Sequence, residues 1–422
     1  MNPISRGLLR DIGRLLLSGV VSQGIALLLL IFIGRQYKQD AIGMQGLMLS
    51  WSGILTTIIM GRYEQAIVIA RTEERATRLW HICLILGTLG SGVVGIAAWI
   101  IDLLWEGNPL KGFIHWIAPY VLITAITNAT MMLLLRQKAY TRLCIAQGLR
   151  TISNNLLKVL LGTLYPTTLS LISSTFVASI IGAIPLWQRL RFALSQRWDK
   201  RYKIYLKYYK AFPLFSTPQA LLNTLIGSLL VIMLPLSYGL KEIGTMTMIM
   251  MLVRRPLLVL SDSVGQVYFE RMSRLVSNSS SPMPLIKNLI GITLLGWLTV
   301  YAIVYFTIDW SIPRLLGMSW TDLPQIIVWM IPYLGANFLA SILNVLPDIL
   351  GRQRVDLAVR LIRLGLESSI IFIGMRLYPF EIFVRYYYLL LFILELLYVG
   401  LLIYLPYSQS LRLSREHRAT RI

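Results

Sequence analysis

The chain of 422 residues carries a formal net charge of +21, although 56% of its residues are hydrophobic and only 14% are charged. A mean hydropathy of +0.66 and repeated apolar runs of about twenty residues exclude a soluble globular protein. They indicate an all-α polytopic membrane protein. Any charge that remains inside an apolar run needs a reason, because a charged side chain in the bilayer is costly.

Twelve apolar runs predict membrane spans, and a basic segment divides them into two sets of six. The spans run over residues 15–34, 42–61, 79–101, 113–135, 143–164, 170–187, 217–239, 244–265, 285–306, 326–346, 357–375 and 386–405. The first run follows three arginines, but no small-residue cleavage site comes after it. We therefore expect an uncleaved helix there and not a signal peptide.

The basic residues predict the orientation, because cytoplasmic loops hold an excess of Lys and Arg. With the N-terminus in the cytoplasm, the inner segments hold 26 of the 40 basic residues and the outer loops hold seven. An even number of spans then places both termini in the cytoplasm. Topology accounts for most of the charge, so the pI near 10.1 does not predict a nucleic-acid partner.

The chain is predicted to form an N-terminal six-helix lobe (1–188), a basic cytoplasmic linker (189–212), a C-terminal six-helix lobe (213–405) and a basic cytoplasmic tail (406–422). The linker holds eight Lys or Arg and a single acid, Asp199, with interleaved Tyr and Trp. We expect it to lie on the inner leaflet, with the aromatic rings at headgroup depth. A specific partner site is the alternative.

The loops and the residue types disfavour an enzyme. Even the longest outer loop, 307–323, is under twenty residues, so no soluble domain stands outside the membrane to hold an active site. The three histidines have no metal-ligand spacing, and a phosphate loop and a nucleophile elbow are absent from the sequence. We predict no catalytic and no metal-binding residues.

Span five carries Gln147, Arg150, Asn154 and Lys158, spaced three, four and four residues apart. On a helix these residues share one face. Such a face is expensive against lipid, at about 2.5 to 3.5 kcal/mol for each central Arg or Lys. We expect Arg150, Asn154 and Lys158 to face water or a ligand. The alternative is that the two cations lie near the helix ends and reach the headgroups.

Span eight carries Arg254 and Arg255, followed by Pro256 and, further on, Asp262. Adjacent helical residues point about 100° apart, so both arginines reach one cavity only if it is wide. Pro256 is expected to loosen the helix and free backbone carbonyls. We expect at least one of the two arginines to contact substrate, and a structural pair with Asp262 is the alternative.

Two further charged groups remain. In span eleven, Arg363 and Glu367 are four residues apart, and we expect them to neutralise each other. Arg62 and Glu64 lie at the cytoplasmic end of span two. They either form an ion pair that closes a lobe or recognise a phosphate, and the sequence leaves both roles open. Across the spans cations outnumber acids, which favours an anionic, phosphate-bearing ligand over a cation.

Several stretches, in chain order, resemble one family. They are Gln23 with Arg35-Gln36-Tyr37 and Gly43; Gly61-Arg62-Tyr63-Glu64-Gln65-Ala66-Ile67 with Ala76; Phe212-Pro213, Pro218 and Leu222-Asn223; Pro256 with Gly265-Gln266-Val267-Tyr268 and Arg271; and Leu316-Gly317-Met318-Ser319-Trp320. As a set they resemble the oligosaccharide flippases of bacterial surface polysaccharide synthesis, the O-antigen (Wzx-type) branch of the MOP transporter superfamily.

The resemblance implies a MATE-like MOP fold, in which two six-helix lobes surround a central cavity that opens to each side in turn. It also implies the ligand, a sugar chain on undecaprenyl diphosphate, and the bacterial inner membrane as the location. Members often carry an arginine about where Met251 stands. Here the basic pair Arg254-Arg255 lies nearer Pro256, which separates this chain from the family pattern.

The predicted function is therefore a flippase for undecaprenyl-diphosphate-linked oligosaccharide, with Arg62, Arg150, Asn154, Lys158, Arg254 and Arg255 as substrate-binding residues. The expected partners are this lipid-linked sugar, membrane lipids and other polysaccharide assembly proteins. We expect no cofactor, and coupling to H+ or Na+ through Glu64, Asp262 or Glu367 is left open. The alternatives are a MATE-like multidrug or cation exporter and a non-catalytic scaffold of a polysaccharide assembly complex.

Overall fold

A computed structural model of the chain describes residues 21–195, 202–277, 282–350 and 352–419. Within these ranges the chain forms α-helices, short 3₁₀ and π segments and connecting turns, and no β-strand. Many large apolar side chains are exposed along the helices, among them Leu104, Phe306 and Leu397. Such surfaces suit lipid and not water. The predicted all-α polytopic membrane fold is confirmed.

The first of two compact units extends to Met248. Its helices are α1 Val21–Gln36, α2 Gln39–Ile59, α3 Tyr63–Ile69, α4 Glu73–Leu104, α5 Ile117–Arg136, α6 Tyr140–Leu164, α7 Thr168–Ala183, α8 Trp187–Ser195, α9 Tyr202–Tyr208, α10 Thr217–Met233 and the start of α11 Leu240–Ile249. A π segment, Phe212–Ser216, leads into α10. Thr72 caps α4 by accepting a hydrogen bond from the backbone N–H of Arg75.

The second compact unit begins at Ile249. It starts with the π segment Met250–Arg254 and continues with α12 Arg255–Ser277, α13 Met283–Leu316, α14 Leu323–Leu343, α15 Leu346–Ile349, α16 Gln353–Leu377 and α17 Phe380–Ala419. Helix α14 packs along α17 and also contacts α12 and α13. The core between them is formed by Met272, Ile286, Leu289, Ile342, Leu343, Leu346 and Leu402.

Nine helices within the described ranges are long and apolar enough to cross a membrane. They are Gln39–Ile59, Glu73–Leu104, Ile114–Arg136, Thr168–Leu186, Phe212–Leu236, Leu240–Ser261, Met283–Leu316, Leu323–Leu343 and Phe380–Tyr407. The other three predicted spans fall on α1, α6 and α16. Helices α6 and α16 have 25 residues each, enough for a span, but their charged residues lower the hydropathy.

Two helices extend beyond the predicted boundaries. The segment 307–323 was expected to be a loop, but α13 continues to Leu316, and only the short turn around Met318–Trp320 separates it from α14. Helix α17 continues to Ala419, through most of the segment predicted as a tail. The apolar pattern located the membrane crossings, whereas the helix ends are set by backbone hydrogen bonding beyond them.

Helix α2 approaches α11 closely at two glycines. A Cβ atom on Gly43 would overlap the backbone carbonyl oxygen of Leu240, and a Cβ on Gly244 would overlap the backbone of Gln39. Small residues let helix backbones come this near in a membrane protein. Along the same helix α2 contacts α10, where the hydroxyls of Thr57 and Thr224 lie 3.4 Å apart.

The basic linker packs partly on protein. Residues 196–201 lie outside the described ranges, but α9 shows one face to a buried cluster around Trp80 and Leu79 of the first unit. Tyr202 and Tyr205 lie on this face, Tyr209 just beyond the helix belongs to the cluster, and Tyr205 also accepts a hydrogen bond from Arg78. The expectation that the linker lies on the inner leaflet, with its aromatic rings at headgroup depth, stays a prediction.

Along the chain, the boundary between the compact units falls within the continuous helical stretch Leu240–Ser261, and not at the linker. Packing density groups α10 and the start of α11 with the first unit, where they contact α2. A division by packing does not locate the boundary of a moving lobe. The sequence-based lobes 1–188 and 213–405 stay a prediction.

Candidate functional site

The polar face of α6 turns into the first unit. Lys158 is only 3% exposed. The hydroxyl of Tyr37 donates a hydrogen bond of 2.7 Å to the Lys158 carbonyl oxygen, which holds this turn of α6 against the end of α1. Arg150 donates from Nη2 to the hydroxyl of Tyr120 on α5 at 3.1 Å. The stem of Arg150 packs against Gly182 of α7, where a larger residue would not fit.

The opposite face of α6 is apolar and exposed, with Ile145, Leu149, Leu156 and Leu160. The helix therefore presents its hydrocarbon side outwards and its cations inwards, as its sequence spacing predicts. Asn154 lies on the inner side, and its Oδ1 atom is buried with no hydrogen-bond partner among the described residues. Gln147, one turn before Arg150, is exposed.

The charged residues of α6 are all positive. The helix contains Arg142, Arg150 and Lys158 and no carboxylate. Lysine is almost never fully buried without groups that stabilise its charge. This face carries Arg150 and Lys158 and no carboxylate, so its chemistry suits an anion.

Arg254 and Arg255 separate at the π segment that precedes Pro256. The Arg254 side chain is half-buried in the second unit and donates from Nη1 to the Met250 sulfur at 3.4 Å. It lies within electrostatic range of Glu367 and of Tyr388. Arg255 is exposed. The loosening expected at Pro256 is present as the π segment, and the divergence of the two arginines follows the 100° step of a helix.

Asp262 falls on α12, and its side chain lies outside the described residues. The alternative that it pairs with Arg254 or Arg255 stays a prediction.

A buried ion network joins α14, α16 and α17. Arg363 contacts Glu395 at 2.7 Å from Nη2 to Oε2, and Glu367 at 4.0 Å from Nε to Oε2. Glu367 accepts a hydrogen bond of 2.7 Å from the Tyr387 hydroxyl, and Glu395 accepts one of 3.1 Å from the Asn337 amide. Both carboxylates are almost fully buried. The expected Arg363–Glu367 pair is therefore present, but Glu395 is the closer partner.

Glu395 was missed by the sequence analysis. Its signal was available, since it is the lone charged residue in the apolar run 386–405. What the sequence does not show is its partner, which lies on another helix. A second pair was missed although it is local, four residues apart on α16: Arg360 contacts Asp356 at 2.7 Å, and the Tyr398 hydroxyl of α17 donates to Asp356 at 2.8 Å.

Arg62 and Glu64 form a separate site at the turn between α2 and α3. Gly61 and Arg62 both adopt left-handed backbone angles, with φ of 54° and 57°. The Arg62 Nη1 atom lies 3.4 Å from Oε1 of Glu64, and the side chains are 31% and 6% exposed. Burial raises the pKa of the Glu64 carboxyl above its ordinary value, against the opposing effects of its backbone environment and of Arg62.

Helix α3 is anchored at its other end by Arg136 of α5. Arg136 donates from Nη1 to the carbonyl oxygens of Val68, at 3.2 Å, and of Ala70. Its Nε lies 3.1 Å from Oε1 of Glu73, at the start of α4. These bonds satisfy the carbonyls that a helix leaves unpaired at its C-terminus. Arg136 is a structural cation that sequence spacing alone did not distinguish from the others.

The predicted site residues thus fall into three places. The first unit holds Arg62 with Glu64 at one turn, and Arg150, Asn154 and Lys158 on α6. The second unit brings Arg254 near Glu367 and leaves Arg255 exposed. Among the described residues, no group of three or more His, Cys, Asp or Glu side chains lies close enough to hold a metal ion.

The comparison with known protein families matches residues 43–325 to the family described as "Polysaccharide biosynthesis protein". The chain belongs to this family. The matched region runs from α2 into α14 and contains Arg62, the α6 cations and Arg254. The remaining charged network around Arg363 lies beyond the matched region. No curated protein sequence matches the chain significantly.

Solved structures show the same fold as this polysaccharide biosynthesis family member. The lipid II flippase MurJ in an inward closed conformation is similar with a TM-score of 0.72 and 11% identity, over 94% of this chain and 89% of that one. An inward-facing MATE multidrug resistance transporter of the MOP superfamily is similar with a TM-score of 0.70 and 15% identity, over 93% of this chain and 96% of that one. The MATE transporter VcmN of Vibrio cholerae in the bent form is similar with a TM-score of 0.52 and 15% identity, over 96% of this chain and 97% of that one. At these identities the likeness concerns the fold, and the predicted MATE-like fold is confirmed.

Proposed function

We propose that the protein is a flippase that moves an undecaprenyl-diphosphate-linked oligosaccharide, an O-antigen or related surface polysaccharide unit, from the cytoplasmic to the periplasmic leaflet of a bacterial inner membrane. Membership of a polysaccharide biosynthesis family and a fold shared with a lipid II flippase support the broader statement, a multi-pass transporter of lipid-linked substrates. No covalent step is needed, because the sugar, the diphosphate and the lipid are the same before and after the movement.

The observation that carries this proposal is the cationic inner face of α6. A diphosphate needs a site that replaces its hydration with fixed positive charge, and Arg150 and Lys158 supply such charge with no carboxylate on the same helix. Asn154, between them, offers an amide to phosphate or sugar hydroxyls. Arg62, at its turn, would offer a guanidinium fork to the diphosphate, and Arg254, in the second unit, stays a candidate contact by itself.

Alternating access then explains how the head group crosses while the lipid tail stays in the bilayer. The site must bind with moderate strength in both states, because a ligand that binds one state too well is not released from it. Coupling to H+ or Na+ through Glu64, Asp262 or Glu367 would add a driving force. For Glu367, such coupling would have to compete with its contacts to Tyr387 and Arg363.

Export of a cationic drug is the second candidate. The MATE-like fold and the buried carboxylates of Glu367 and Glu395 favour it, since a cation needs negative charge in the membrane. Arg363 lies against both carboxylates and offsets much of that charge. A scaffold role within a polysaccharide assembly complex is compatible with flipping and would involve other assembly proteins as partners.

The test is the fate of lipid-linked oligosaccharide in cells that lack the protein. We expect the deletion to trap the intermediate in the cytoplasmic leaflet. Wild-type protein should release it, and Arg150→Ala with Lys158→Ala should fail at equal membrane expression. Arg142→Ala, on the exposed end of the same helix, is the matched control and should complement. An intermediate that reaches the outer leaflet without the protein would refute the flippase and favour drug export or a scaffold.

A further inference from the structure

The turn before α3 places a charged side chain on strained backbone. Residues other than glycine seldom adopt positive φ, yet Arg62 does so directly after Gly61. Glycine at position 62 would adopt the same angles without strain. Strain of this kind persists where the surrounding structure holds it in place, and such positions cluster at ligand sites and switches. Lys138 shares this backbone angle, so the case for a role of Arg62 depends on the contacts of its side chain.

The contact between Arg62 and Glu64 is incomplete. Its 3.4 Å separation is longer than the 2.7 to 2.9 Å, roughly, of a strong charge-assisted hydrogen bond. The Oε2 atom of Glu64 and the Nε atom of Arg62 are both buried, and neither has a hydrogen-bond partner among the described residues. Each group thus keeps bonding capacity that the other does not use.

A structural role for this pair is already filled by other contacts. Arg136 holds the C-terminal end of α3, and the Tyr63 hydroxyl ties its first turn to the Leu206 carbonyl oxygen at 3.1 Å. Ala66 and Ile67 fill the buried cluster beneath the helix. Helix α3 is therefore fixed at both ends and along its buried face without the Arg62–Glu64 contact.

We propose that Glu64 is a built-in competitor for the Arg62 guanidinium, which it holds loosely until a diphosphate takes its place. This inference rests on the proposed function and specifies how one of its binding residues is controlled. The guanidinium is the more exposed partner, and its fork of donors matches a diphosphate better than it matches the single carboxylate oxygen that it now faces.

Competition gives the site moderate affinity without removing its charge. When the diphosphate binds, Arg62 turns from one anion to another, so that little positive charge is left unneutralised in either state. When the ligand leaves, Glu64 takes the guanidinium back and lowers the barrier to release. A flippase needs both, since it must load and unload the same head group.

The experiment measures binding to purified full-length protein in detergent with three probes. Farnesyl diphosphate presents a lipid-linked diphosphate, inorganic pyrophosphate presents the free anion, and phosphatidylglycerol presents another anionic headgroup. The variants are Glu64→Gln, Arg62→Gly, Arg62→Lys and the double variant Glu64→Gln with Arg62→Gly. Lys138→Gly is the matched control, since Lys138 is an exposed cation with φ of 55°, so the change removes the same charge and the same backbone strain.

We expect Glu64→Gln to tighten farnesyl diphosphate binding about tenfold, because the carboxylate no longer competes. Arg62→Gly should weaken it about tenfold and Arg62→Lys less, while Lys138→Gly leaves it unchanged. In the Arg62→Gly background, Glu64→Gln should have no further effect. Pyrophosphate should follow the same order with weaker binding, and phosphatidylglycerol should not respond to either site.

Three results would overturn the inference. One is unchanged or weaker diphosphate binding by Glu64→Gln while the wild type binds and flips, which leaves the flippase standing. Another is equal loss in Lys138→Gly and Arg62→Gly, which would assign the effect to general charge. The third is a wild-type protein that binds no diphosphate probe, which would overturn the proposed function as well. Thermal unfolding of each variant confirms that the binding changes are not losses of fold.

Discussion

At the scale of single residues, Glu64 links stability to pH. Burial raises its pKa above the ordinary value of 4.5. The folded protein therefore binds this proton more tightly than the unfolded chain does. The Glu64 contribution to stability is present at low pH and is lost as the pH rises from about 4.5 through the raised pKa, at up to about 1.4 kcal/mol per pH unit.

Replacement of Glu64 by Gln should remove this slope. We expect the apparent unfolding temperature of Glu64→Gln, measured in detergent from pH 4 upwards, to exceed that of the wild type increasingly as the pH rises. The groups that face Glu64 are Arg62, on its own turn, and Cys83, on α4. Both are unchanged in the comparison, so a constant difference at all pH values would contradict the prediction.

Arg363 is the residue whose loss should cost most in the second unit. Arg363→Met would leave the buried carboxylates of Glu395 and Glu367 without their cation, and breaking such a pair costs about 3 to 5 kcal/mol. Adding Glu395→Gln should recover part of the lost stability, because the amide carries no charge. The measurement is the unfolding midpoint of purified protein.

Arg376→Met is the control for this experiment. Arg376 is an exposed residue of the same helix and stacks over the Phe372 ring at 4.1 Å. Its loss should cost under about 1 kcal/mol. If both variants unfold at the same midpoint, the network around Arg363 is not a stabilising centre.

Sequence spacing predicted some of these contacts and missed others. Arg363 and Glu367 are four apart on one helix, so their contact follows from helix geometry. Glu395 is 28 positions away from Glu367, and nothing local in the sequence predicts which helices bring the two together. The left-handed angle at Arg62 was equally out of reach, because the residue type most often found at such an angle is glycine.

At the scale of helices, α6 and α16 each combine the length of a membrane span with a charged face. Each has the length of a membrane span, and each departs from the apolar composition of the other spans because one face carries charge. Periodicity separates the apolar, exposed face of α6 from the face that carries Arg150, Asn154 and Lys158, since the period of a helix is 3.6 residues, and the expectation that this second face meets water or a ligand stays a prediction. Periodicity did not predict that α9 would turn two tyrosines towards protein, because the linker pattern suits a protein surface and a lipid surface equally.

The α2–α11 approach depends on the absence of a side chain. We expect Gly43→Ala to destabilise the protein by about 1 to 3 kcal/mol, because its methyl group would meet the Leu240 carbonyl oxygen and force the backbones apart. Gly148→Ala on α6 is the control: nothing lies within 4 Å of the added Cβ, so the better helix propensity of alanine should leave stability equal or higher. The measurement is again the unfolding midpoint, and equal losses at both positions would contradict this.

At the scale of the whole molecule, the family resemblance predicted the MATE-like fold that the comparisons confirm, and the composition and the apolar runs predicted the all-α membrane fold that the structure confirms. Both depend on long-range averages, apolar length and charge placement, that a single sequence records well. The proposed substrate depends on a few side chains, and only the family resemblance suggested it. Orientation stands between the two, since it follows from where the basic residues accumulate.

The orientation is tested with single cysteines. The chain has two, Cys83 and Cys144, and replacing both by Ala provides a background for Lys111→Cys, Arg376→Cys, Lys138→Cys and Arg142→Cys. All four positions are exposed. Since 26 basic residues fall on one side and seven on the other, we expect both termini in the cytoplasm. A membrane-impermeant maleimide on intact spheroplasts should then label positions 111 and 376, and label 138 and 142 only after permeabilisation.

The pattern of labels separates two ways of being wrong. Full reversal, with 138 and 142 labelled first, would mean that the positive charge does not set the orientation of this chain. Labelling of 111 but not 376 would place an odd number of crossings between them, so that one of the intervening predicted spans does not cross. Helices α6 and α16 would be the first to examine, because their charges leave them below the hydropathy of the nine clear spans.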